Sequence, residues 1–255
     1  MQKITQYFKQ LRYVQKIILG GWLVLMLLLP FHAFISTWGG SAIGPYSLWK
    51  VWKEVLLLAL CIPTFILIFS DQKILHTVKS SWLLRLMGLY VVLHVLATLV
   101  LGRDPDAVLY GLAINLRIVL FFFVSFVLFS SLNLSKKVLV AVVMAPCVVV
   151  VVFGLLQLFV LPVNFLSHFG YEKGVTIAPS LNIDEQPDEI RIMSTLRGPN
   201  PLGAYLIFPL TILVCYAPLL YKKIRKKAPH QYQFAIGVPL LFTALLVTLY
   251  GTHGR

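Results

Sequence analysis

The sequence predicts an all-α integral membrane protein that crosses the bilayer several times. Of its 255 residues, 59% are hydrophobic and only 12% are charged, whereas soluble proteins are about 45–50% apolar and about 25% charged. Apolar runs of about 17–25 residues, the length that crosses a bilayer, recur along the chain. A single soluble core could not bury this much apolar surface, so lipid must be the solvent for most of the protein. The composition excludes a secreted disulfide scaffold, a disordered tail and an ordinary soluble enzyme.

Seven apolar runs have the length and composition of transmembrane helices. In chain order they are 17–34, 51–69, 82–101, 108–129, 138–161, 201–221 and 234–250. Lys53 and Glu54 lie in the first turn of the second run, and the seventh run is short. No repeat with a period of about 20–50 residues is present. We therefore predict a single transmembrane domain, 1–255, with seven spans and one long external loop at 162–200.

The basic residues predict the orientation of these spans. When the N-terminus is placed in the cytoplasm, fourteen of the 22 Lys and Arg residues fall in cytoplasmic segments and seven fall outside. Because cytoplasmic segments of membrane proteins are enriched in Lys and Arg, we predict the N-terminus inside and the C-terminus outside. The net charge of +13 is then a consequence of topology. The basic run at 222–227 is predicted to anchor the sixth span or to contact anionic lipid, and no nucleic-acid partner is predicted.

Residue types that bind metals do not form a recognisable pattern. Cys61, Cys147 and Cys215 each lie inside an apolar run, without a neighbouring Cys or His at metal-binding spacing, so we predict buried, unreactive thiols. The acidic stretch 183–189 lacks the Gly and the final Glu of an EF-hand loop and is predicted to be a solvated turn. Neither a metal nor a cofactor is predicted.

The end of the external loop, 191–206, combines features that suit an anion. Asn200 precedes a proline and is predicted to be the N-cap of the sixth spanning helix. Arg191 and Arg197 come shortly before that helix N-terminus, which itself attracts negative charge. Gly203 leaves room for another helix or for a lipid-linked substrate. A phosphate or diphosphate site fits this arrangement, and a capped helix with two surface arginines is the structural alternative.

Two motifs carry a family resemblance. The first is Arg-x-x-(Gly/Ser)-Thr-(Phe/Leu)-x-x-Pro-Asn-x-x-(Gly/Ala)-x-x-Leu, matched here by Arg191, Ser194, Thr195, Leu196, Pro199, Asn200, Gly203 and Leu206. The second follows the next span and reads Thr-His-Gly-Arg at 252–255, similar to a Thr-x-Ser-Arg-Gly-type motif with Gly in place of Ser. In this order the motifs resemble those of bacterial O-antigen ligases and related O-antigen polymerases. The resemblance is firmest over 190–255.

The resemblance implies a fold, an activity and a location. Members of that family are multi-pass inner-membrane proteins, similar in fold to C-type glycosyltransferases. They transfer a glycan from undecaprenyl diphosphate to an acceptor such as lipid A core, by a metal-independent inverting reaction. The resemblance assigns Arg191 and Arg255 to the leaving diphosphate.

The resemblance also implies that the family's catalytic base is missing from this chain. That base lies in a second large external loop, and the sequence stops before it, so we expect an incomplete chain whose catalytic residues are unknown. In an intact short form, His168 of the external loop is the candidate base.

Arg117 lies nine residues into the fourth predicted span. A charge so deep in a bilayer is costly and usually faces a cavity or a protein interior. We predict that Arg117 also contacts the substrate diphosphate, with snorkelling to the surface as the alternative. His94, in the outer half of the third span, is predicted to pair with a neighbouring helix.

The predicted function is therefore that of an O-antigen ligase-like or polymerase-like glycosyltransferase in cell-surface polysaccharide synthesis. Two other classes stay open on the sequence alone. One is a transporter or flippase for a lipid-linked or anionic solute, and the other is a non-catalytic membrane subunit.

Overall fold

The computed structural model describes residues 12–100, 105–182, 190–224 and 232–252, and this part of the chain is mostly helical. The helices are α1 Tyr13–Leu28, α2 His32–Ala42, α3 Tyr46–Lys50, α4 Trp52–Ser70, α5 Gln72–Ser80, α6 Trp82–Val100, α7 Pro105–Ser131, α8 Lys136–Phe159, α9 Pro199–Ile224 and α10 Tyr232–Gly251. The predicted spans 108–129, 201–221 and 234–250 fall within α7, α9 and α10, and the spans 51–69, 82–101 and 138–161 coincide with α4, α6 and α8 to within two residues. The first predicted span, 17–34, covers parts of α1 and α2 and the 3₁₀ helix Leu29–Phe31 between them. The predictions at 183–189 and 225–227 lie outside the described residues.

Five described helices are long and apolar enough to cross a membrane. They are Tyr13–Ala42, Trp52–Ser70, Ile114–Ser131, Lys136–Phe159 and Pro199–Pro218. The pair Gln72–Ser80 and Trp82–Thr98, bent by 65°, adds a sixth if it forms one broken span, and Pro239–Gly251 is a shorter apolar helix. The protein is thus an all-α multi-pass membrane protein, as the sequence predicts, and the count of seven spans stays a prediction.

The exposed apolar surface of these helices agrees with a lipid environment. Ile66, Phe69, Val152 and Phe208 are at least half exposed, and each lies on a helix long enough to span. Cys61 and Cys147 are buried as predicted, but Cys215 is exposed. The prediction for Cys215 was wrong because an apolar residue in a spanning helix can face lipid as well as protein.

The chain divides into two compact units. In the first unit, 1–25 with 52–135, α4 packs against α7 and α6 also contacts α7. Trp22 of α1 fixes the start of the chain in this unit, because its Nε1 donates to Ser125 Oγ at 2.9 Å and its ring meets Phe129 edge-on. His94 of α6 contacts the Asn115 side chain of α7 at 3.1 Å, so the predicted pairing of His94 with a neighbouring helix is confirmed.

The second unit, 26–51 with 136–255, contains α2, α3, α8, α9 and α10. Its core is formed by residues from α8, α9, α10 and the segment before α9. They are Cys147, Val150, Val151, Leu158, Ile192, Leu202, Leu206, Leu213 and Leu245.

The segment between α8 and α9 has its own short elements. A 3₁₀ helix covers Phe165–Phe169, and an antiparallel ribbon pairs β1 Leu181–Asn182 with β2 Ile190–Arg191. The ribbon places Arg191 opposite Leu181. The ribbon therefore holds Arg191, a residue of the first motif, beside the end of α10 and the start of α9.

Candidate functional site

The segment 192–195, directly after β2, is buried within the second unit and is held by hydrogen bonds to three other residues of that unit. The Ser194 N–H donates to Gln157 Oε1 at 2.7 Å, and the Ser194 hydroxyl donates to the Val150 carbonyl at 2.6 Å. The Thr195 hydroxyl donates to the Pro30 carbonyl at 3.2 Å. Because Val150 and Gln157 belong to α8, this polar segment is tied directly to a spanning helix.

Ser194 has a backbone conformation that side-chain-bearing residues rarely adopt. Its φ is +51°, and it is the one non-glycine residue with positive φ among the described residues. Such a conformation costs free energy and persists only when the surroundings impose it. Here the two hydrogen bonds of Ser194 impose it, so the chain turns sharply between Arg191 and α9.

The first motif lies next to Thr252, the residue of the second motif that the structure describes. The Ile192 N–H donates to the Gly251 carbonyl at 3.1 Å, and Arg191 Nε donates to the Thr252 carbonyl at 2.7 Å. Gly251 permits this contact, since a Cβ there would lie 2.9 Å from Ile192 Cδ1. Residues about sixty positions apart therefore form one local structure at the end of α10.

The Arg191 guanidinium is fixed on its other side by Asn200. Arg191 Nη2 donates to Asn200 Oδ1 at 2.8 Å. Guanidinium donors held by two neutral oxygens keep their full positive charge, and the fork geometry is suited to two oxygens of a phosphate. Among the described residues Arg191 forms no ion pair with a carboxylate.

The predicted N-cap role of Asn200 was wrong. Helix α9 begins at Pro199, and the Leu202 N–H bonds to the Gly198 carbonyl at 3.1 Å, so Asn200 lies within the first turn. The Pro-Asn-Pro sequence permits either proline to begin the helix, because the first helical residue needs no N–H partner. With its side chain outside the cap position, Asn200 is available to orient Arg191.

Gly203 faces the end of α10. A Cβ at this position would lie 3.5 Å from Thr252 Oγ1 and 3.7 Å from Leu249 Cδ1, which is ordinary packing contact. The room that the sequence predicts at Gly203 is therefore occupied by a neighbouring helix end.

Arg197 is exposed in the turn before α9 and is close to a residue that the sequence analysis did not single out. Burial raises the pKa of the Tyr46 phenol above its ordinary value, and the Arg197 guanidinium lowers it in part. Lys50 Nζ lies 4.1 Å from the centre of the same ring. Tyr46 and Lys50 belong to the short helix α3, which was not predicted from the sequence. The Gly39–Gly40 pair and Pro45 are typical of a tight connection and could have indicated it.

The enclosed space beside Arg191 is small. A cavity of about 30 Å³ is lined by nine residues of α8 and of the segment between α8 and α9, among them Gln157, Pro179, Arg191 and Met193. This volume suits about one water molecule. A diphosphate would therefore have to bind on the exposed side of the guanidinium.

Arg117 belongs to the first unit and has a protein partner there. Its Nη1 lies 3.3 Å from Glu54 Oε1, and Lys53 Nζ lies 3.1 Å from the same oxygen. Glu54 Oε2 is buried without a hydrogen-bond partner among the described residues. The pairing of Arg117 with Glu54 was not predicted, because the two residues lie on different helices and are 63 positions apart in sequence.

The other predicted site residues are placed as follows. His168 is exposed in the 3₁₀ helix, with its ring edge-on to Phe165. Arg255 lies outside the described residues. Within the ranges that the structure describes, no group of three or more His, Cys, Asp and Glu side chains is placed to hold a metal.

Comparisons with protein-family models, curated proteins and solved structures find no match for this chain. The resemblance over 190–255 therefore depends on the motif residues themselves. Among the described ones, Arg191, Asn200 and Thr252 are brought together, and Arg197 lies in the same turn.

Proposed function

We propose that the protein binds an undecaprenyl-diphosphate-linked glycan at Arg191 and belongs to the O-antigen ligase-like or polymerase-like glycosyltransferases of the bacterial inner membrane. The observation that carries the proposal is the meeting of Arg191 with Thr252 and Asn200. This contact brings Thr252, the described residue of the second motif, to an oriented guanidinium of the first motif. The C-type glycosyltransferase fold and the inner-membrane location with the N-terminus inside are parts of the same proposal.

The chemistry of glycan transfer explains why such a guanidinium is useful. The acceptor hydroxyl oxygen forms a bond to the anomeric carbon, its proton passes to a base, and the bond from that carbon to the diphosphate oxygen breaks. Negative charge then accumulates on the leaving diphosphate. A cation already oriented by two neutral oxygens stabilises that charge without having to reorganise.

The first test is the binding of undecaprenyl diphosphate to the full chain in phosphatidylcholine nanodiscs. We expect Arg191→Ala to weaken binding about 10–100-fold, because a charge-assisted hydrogen bond contributes about 1.5–3 kcal/mol. Arg191→Lys should retain part of the affinity, since Lys keeps the charge but loses the fork geometry. Arg197→Ala should lose less than Arg191→Ala. The matched control is Lys137→Ala, at the opposite end of α8.

Two outcomes would contradict the assignment. If Arg191→Ala binds as tightly as wild type, the proposed diphosphate site is wrong. If Arg191→Ala and Arg197→Ala lose affinity equally, only a general basic patch is supported. With a glycan-bearing donor and lipid A core as acceptor, Arg191→Ala should also abolish the release of undecaprenyl diphosphate.

A second candidate function is supported by the charged group on α4 and α7. Glu54, Lys53 and Arg117 form linked ion pairs on helices predicted to span the membrane, and intramembrane charges commonly mark solute pathways. A transporter or flippase would move a fluorescent lipid-linked diphosphate across proteoliposomes, with loss in Glu54→Gln. A glycosyltransferase would release undecaprenyl diphosphate without such movement.

A further inference from the structure

The short helix α5 lies at one end of two long apolar helices of the first unit. It joins α4 to α6, with Asp71 before it and Ser81 after it. Helices α4 and α6 have 19 residues each, which gives a length of about 28 Å and nearly equals the hydrocarbon thickness of about 30 Å. Each is therefore long enough to reach the membrane surface. Because α5 is also bent by 65° from α6, we expect α5 to lie along that surface.

The start of α6 supports this depth for α5. Trp82, the first residue of α6, is 68% exposed, and tryptophan is enriched where the membrane meets water. Leu83 and Leu86 follow it on α6 and are also exposed. Lipid chains thus have an apolar surface next to α5, and the break between α5 and α6 lies at the level of the lipid headgroups.

Hydrogen bonds at both ends hold α5 in place. Asp71 Oδ1 accepts from the Lys73 N–H at 3.0 Å and so caps the helix, while its Oδ2 lies 3.2 Å from Arg12 Nη1. At the other end, Arg85 Nε and Nη2 donate to the Lys79 carbonyl at 3.2 and 2.8 Å. That carbonyl is neutral, so Arg85 keeps its full charge beside the end of α5.

The two lysines of α5 border an apolar stripe. Ile74 is buried, Leu75 and Val78 are partly buried, and α5 contacts α4 and α7. Because successive helical residues turn by about 100°, Lys73 and Lys79 lie on opposite sides of this stripe, and both are exposed. Lysines in such a position extend their apolar stems along a membrane surface and their charged ends to the headgroups.

The charges beside α5 stay positive when the acidic residues are counted. Asp71 is paired with Arg12, whereas Lys73, Lys79 and Arg85 form no ion pair with a described residue. The N-terminal residues 1–11 contain no Asp or Glu. The other acidic residues of the unit belong to the far end of α4 or follow the far end of α6 in the sequence: Glu54, Asp104 and Asp106. The remaining ones, at 172–189, are predicted on the opposite side of the membrane.

We propose that Lys73, Lys79 and Arg85, together with the Trp82 indole, form a binding surface for anionic phospholipids. The lipid phosphate accepts hydrogen bonds from the ammonium and guanidinium groups, and the lipid chains lie against the exposed leucines of α6. Charge complementarity identifies the lipid, because a neutral phospholipid offers no net charge to these cations. Each Lys or Arg near an anionic membrane strengthens binding about fivefold. This surface does not depend on the proposed function.

The test measures which lipid is enriched next to α5 in the full chain. In a background without the three native cysteines, Ser80→Cys carries a fluorophore, and the protein is placed in phosphatidylcholine bilayers. Nitroxide-labelled phosphatidylglycerol or phosphatidylcholine is then added, and the two quenching curves give the relative association constant of the two lipids at α5. We expect phosphatidylglycerol to be favoured, and Lys73→Gln and Lys79→Gln each to lower the ratio about fivefold.

Matched variants show whether the charge itself is responsible. Lys73→Arg and Lys79→Arg should keep the wild-type ratio. Lys173→Gln removes an exposed charge from the segment between α8 and α9 and should change nothing. With the fluorophore on Val100→Cys, at the other end of α6, Lys73→Gln should have no effect. Raising the ionic strength from about 0.01 M to about 1 M shortens the screening length from about 30 Å to about 3 Å and should bring the ratio close to one.

Three results would overturn the proposal. Equal quenching by both lipids in the wild type would show that α5 does not select an anionic lipid. A ratio that Lys73→Gln and Lys79→Gln leave unchanged would show that the selection does not come from α5. Stronger quenching by a nitroxide near the end of the lipid chain than by one near the headgroup would place α5 inside the hydrocarbon. Each result leaves undecaprenyl diphosphate binding at Arg191 untouched, so the two proposals fail separately.

Discussion

Among single residues, Tyr171 of the second unit has a buried hydroxyl that is costly to keep out of water. Its side chain is 1% exposed, and its hydroxyl has no partner of hydrogen-bonding geometry among the described residues. The nearby Thr37 hydroxyl donates instead to the Ala33 and Phe34 carbonyls. Burial raises the pKa of Tyr171 from 10.0 to about 12, an effect that Thr37 opposes and Tyr46 reinforces.

We predict that Tyr171→Phe makes the protein more stable and less sensitive to alkali. Below pH 10 the variant should gain about 1 kcal/mol, because an unpartnered buried hydroxyl is removed. Between pH 10 and 12 the unfolded wild type releases a proton that the folded state retains, so the wild type loses stability there by at most about 3 kcal/mol. The variant lacks this contribution.

The measurement is the free energy of unfolding of both proteins in detergent from pH 8 to 12. Taking the difference between them cancels the titration of other groups. If the difference stays constant with pH, Tyr171 ionises equally in both states and its proposed burial is wrong. A loss of stability in Tyr171→Phe at pH 8 would show that the hydroxyl has a partner.

The candidate site shows which properties of its residues could be predicted from the sequence. Arg191 and Asn200 were predicted to share a site, and their side chains are in contact. The positive φ of Ser194 was not predicted, because it results from bonds to Val150 and Gln157, about forty residues earlier. The residues next to Ser194 in the sequence do not indicate that it bonds to partners so far away along the chain.

At the scale of elements, the spanning helices were the predictable part. Helix α4 covers Trp52–Ser70 where the sequence predicts 51–69, and α8 covers Lys136–Phe159 where it predicts 138–161. Hydrophobic length alone gives these limits, even though Pro63 and Pro146 lie inside the helices. Prolines are tolerated there because neighbouring groups in a membrane bundle satisfy the freed backbone.

The short elements could not be predicted in the same way. Helix α3 has five residues, and each strand has two, so neither shows a period. Their positions depend on tertiary contacts: α3 on the surface of α2, and β2 on the end of α10. Elements fixed by packing instead of by hydrophobic length are therefore the ones that the sequence analysis missed.

We predict that Gly40→Ala displaces α3. The new Cβ would approach the Tyr46 Cα to 2.9 Å, and backbone cannot rotate aside as a side chain can. Overpacking typically costs about 1–3 kcal/mol, partly offset by about 1 kcal/mol of added helix propensity. The melting temperature of Gly40→Ala should therefore fall below that of the wild type.

Gly44→Ala is the matched control for Gly40→Ala. It makes the same change in the connection to α3, but a Cβ at Gly44 meets no atom within 4 Å and its φ is not positive. We expect the melting temperature of Gly44→Ala to equal that of the wild type. Equal losses in both variants would mean that the flexibility of the connection, and not the contact with Tyr46, sets the position of α3.

At the scale of the whole molecule, the membrane topology is predicted from the distribution of Lys and Arg. One contact within the second unit is consistent with that topology. In the predicted topology, the connection after the first predicted span and the segment between α8 and α9 must lie on the same side of the membrane. In the second unit these segments touch, since a Cβ on Gly170 would lie 2.5 Å from Ser41 Cβ. The contact requires both segments to lie on the same side of the membrane, but it does not show whether that side is the cytoplasmic one.

The last prediction concerns that side. The distribution of Lys and Arg predicts that these two segments face away from the cytoplasm. In a background without Cys61, Cys147 and Cys215, we expect Gly44→Cys and Val175→Cys to react with a membrane-impermeant maleimide added to intact spheroplasts. Lys79→Cys and Lys137→Cys should react only after lysis. The reverse pattern would show that the orientation predicted from the Lys and Arg residues is wrong. The Arg191 site would then face the cytoplasm, where a protein contacts a lipid-linked glycan before the glycan is exported. If Gly44→Cys and Val175→Cys reacted on opposite sides, the number of spans between them would be odd, and the contact between Gly170 and Ser41 could not form in the membrane.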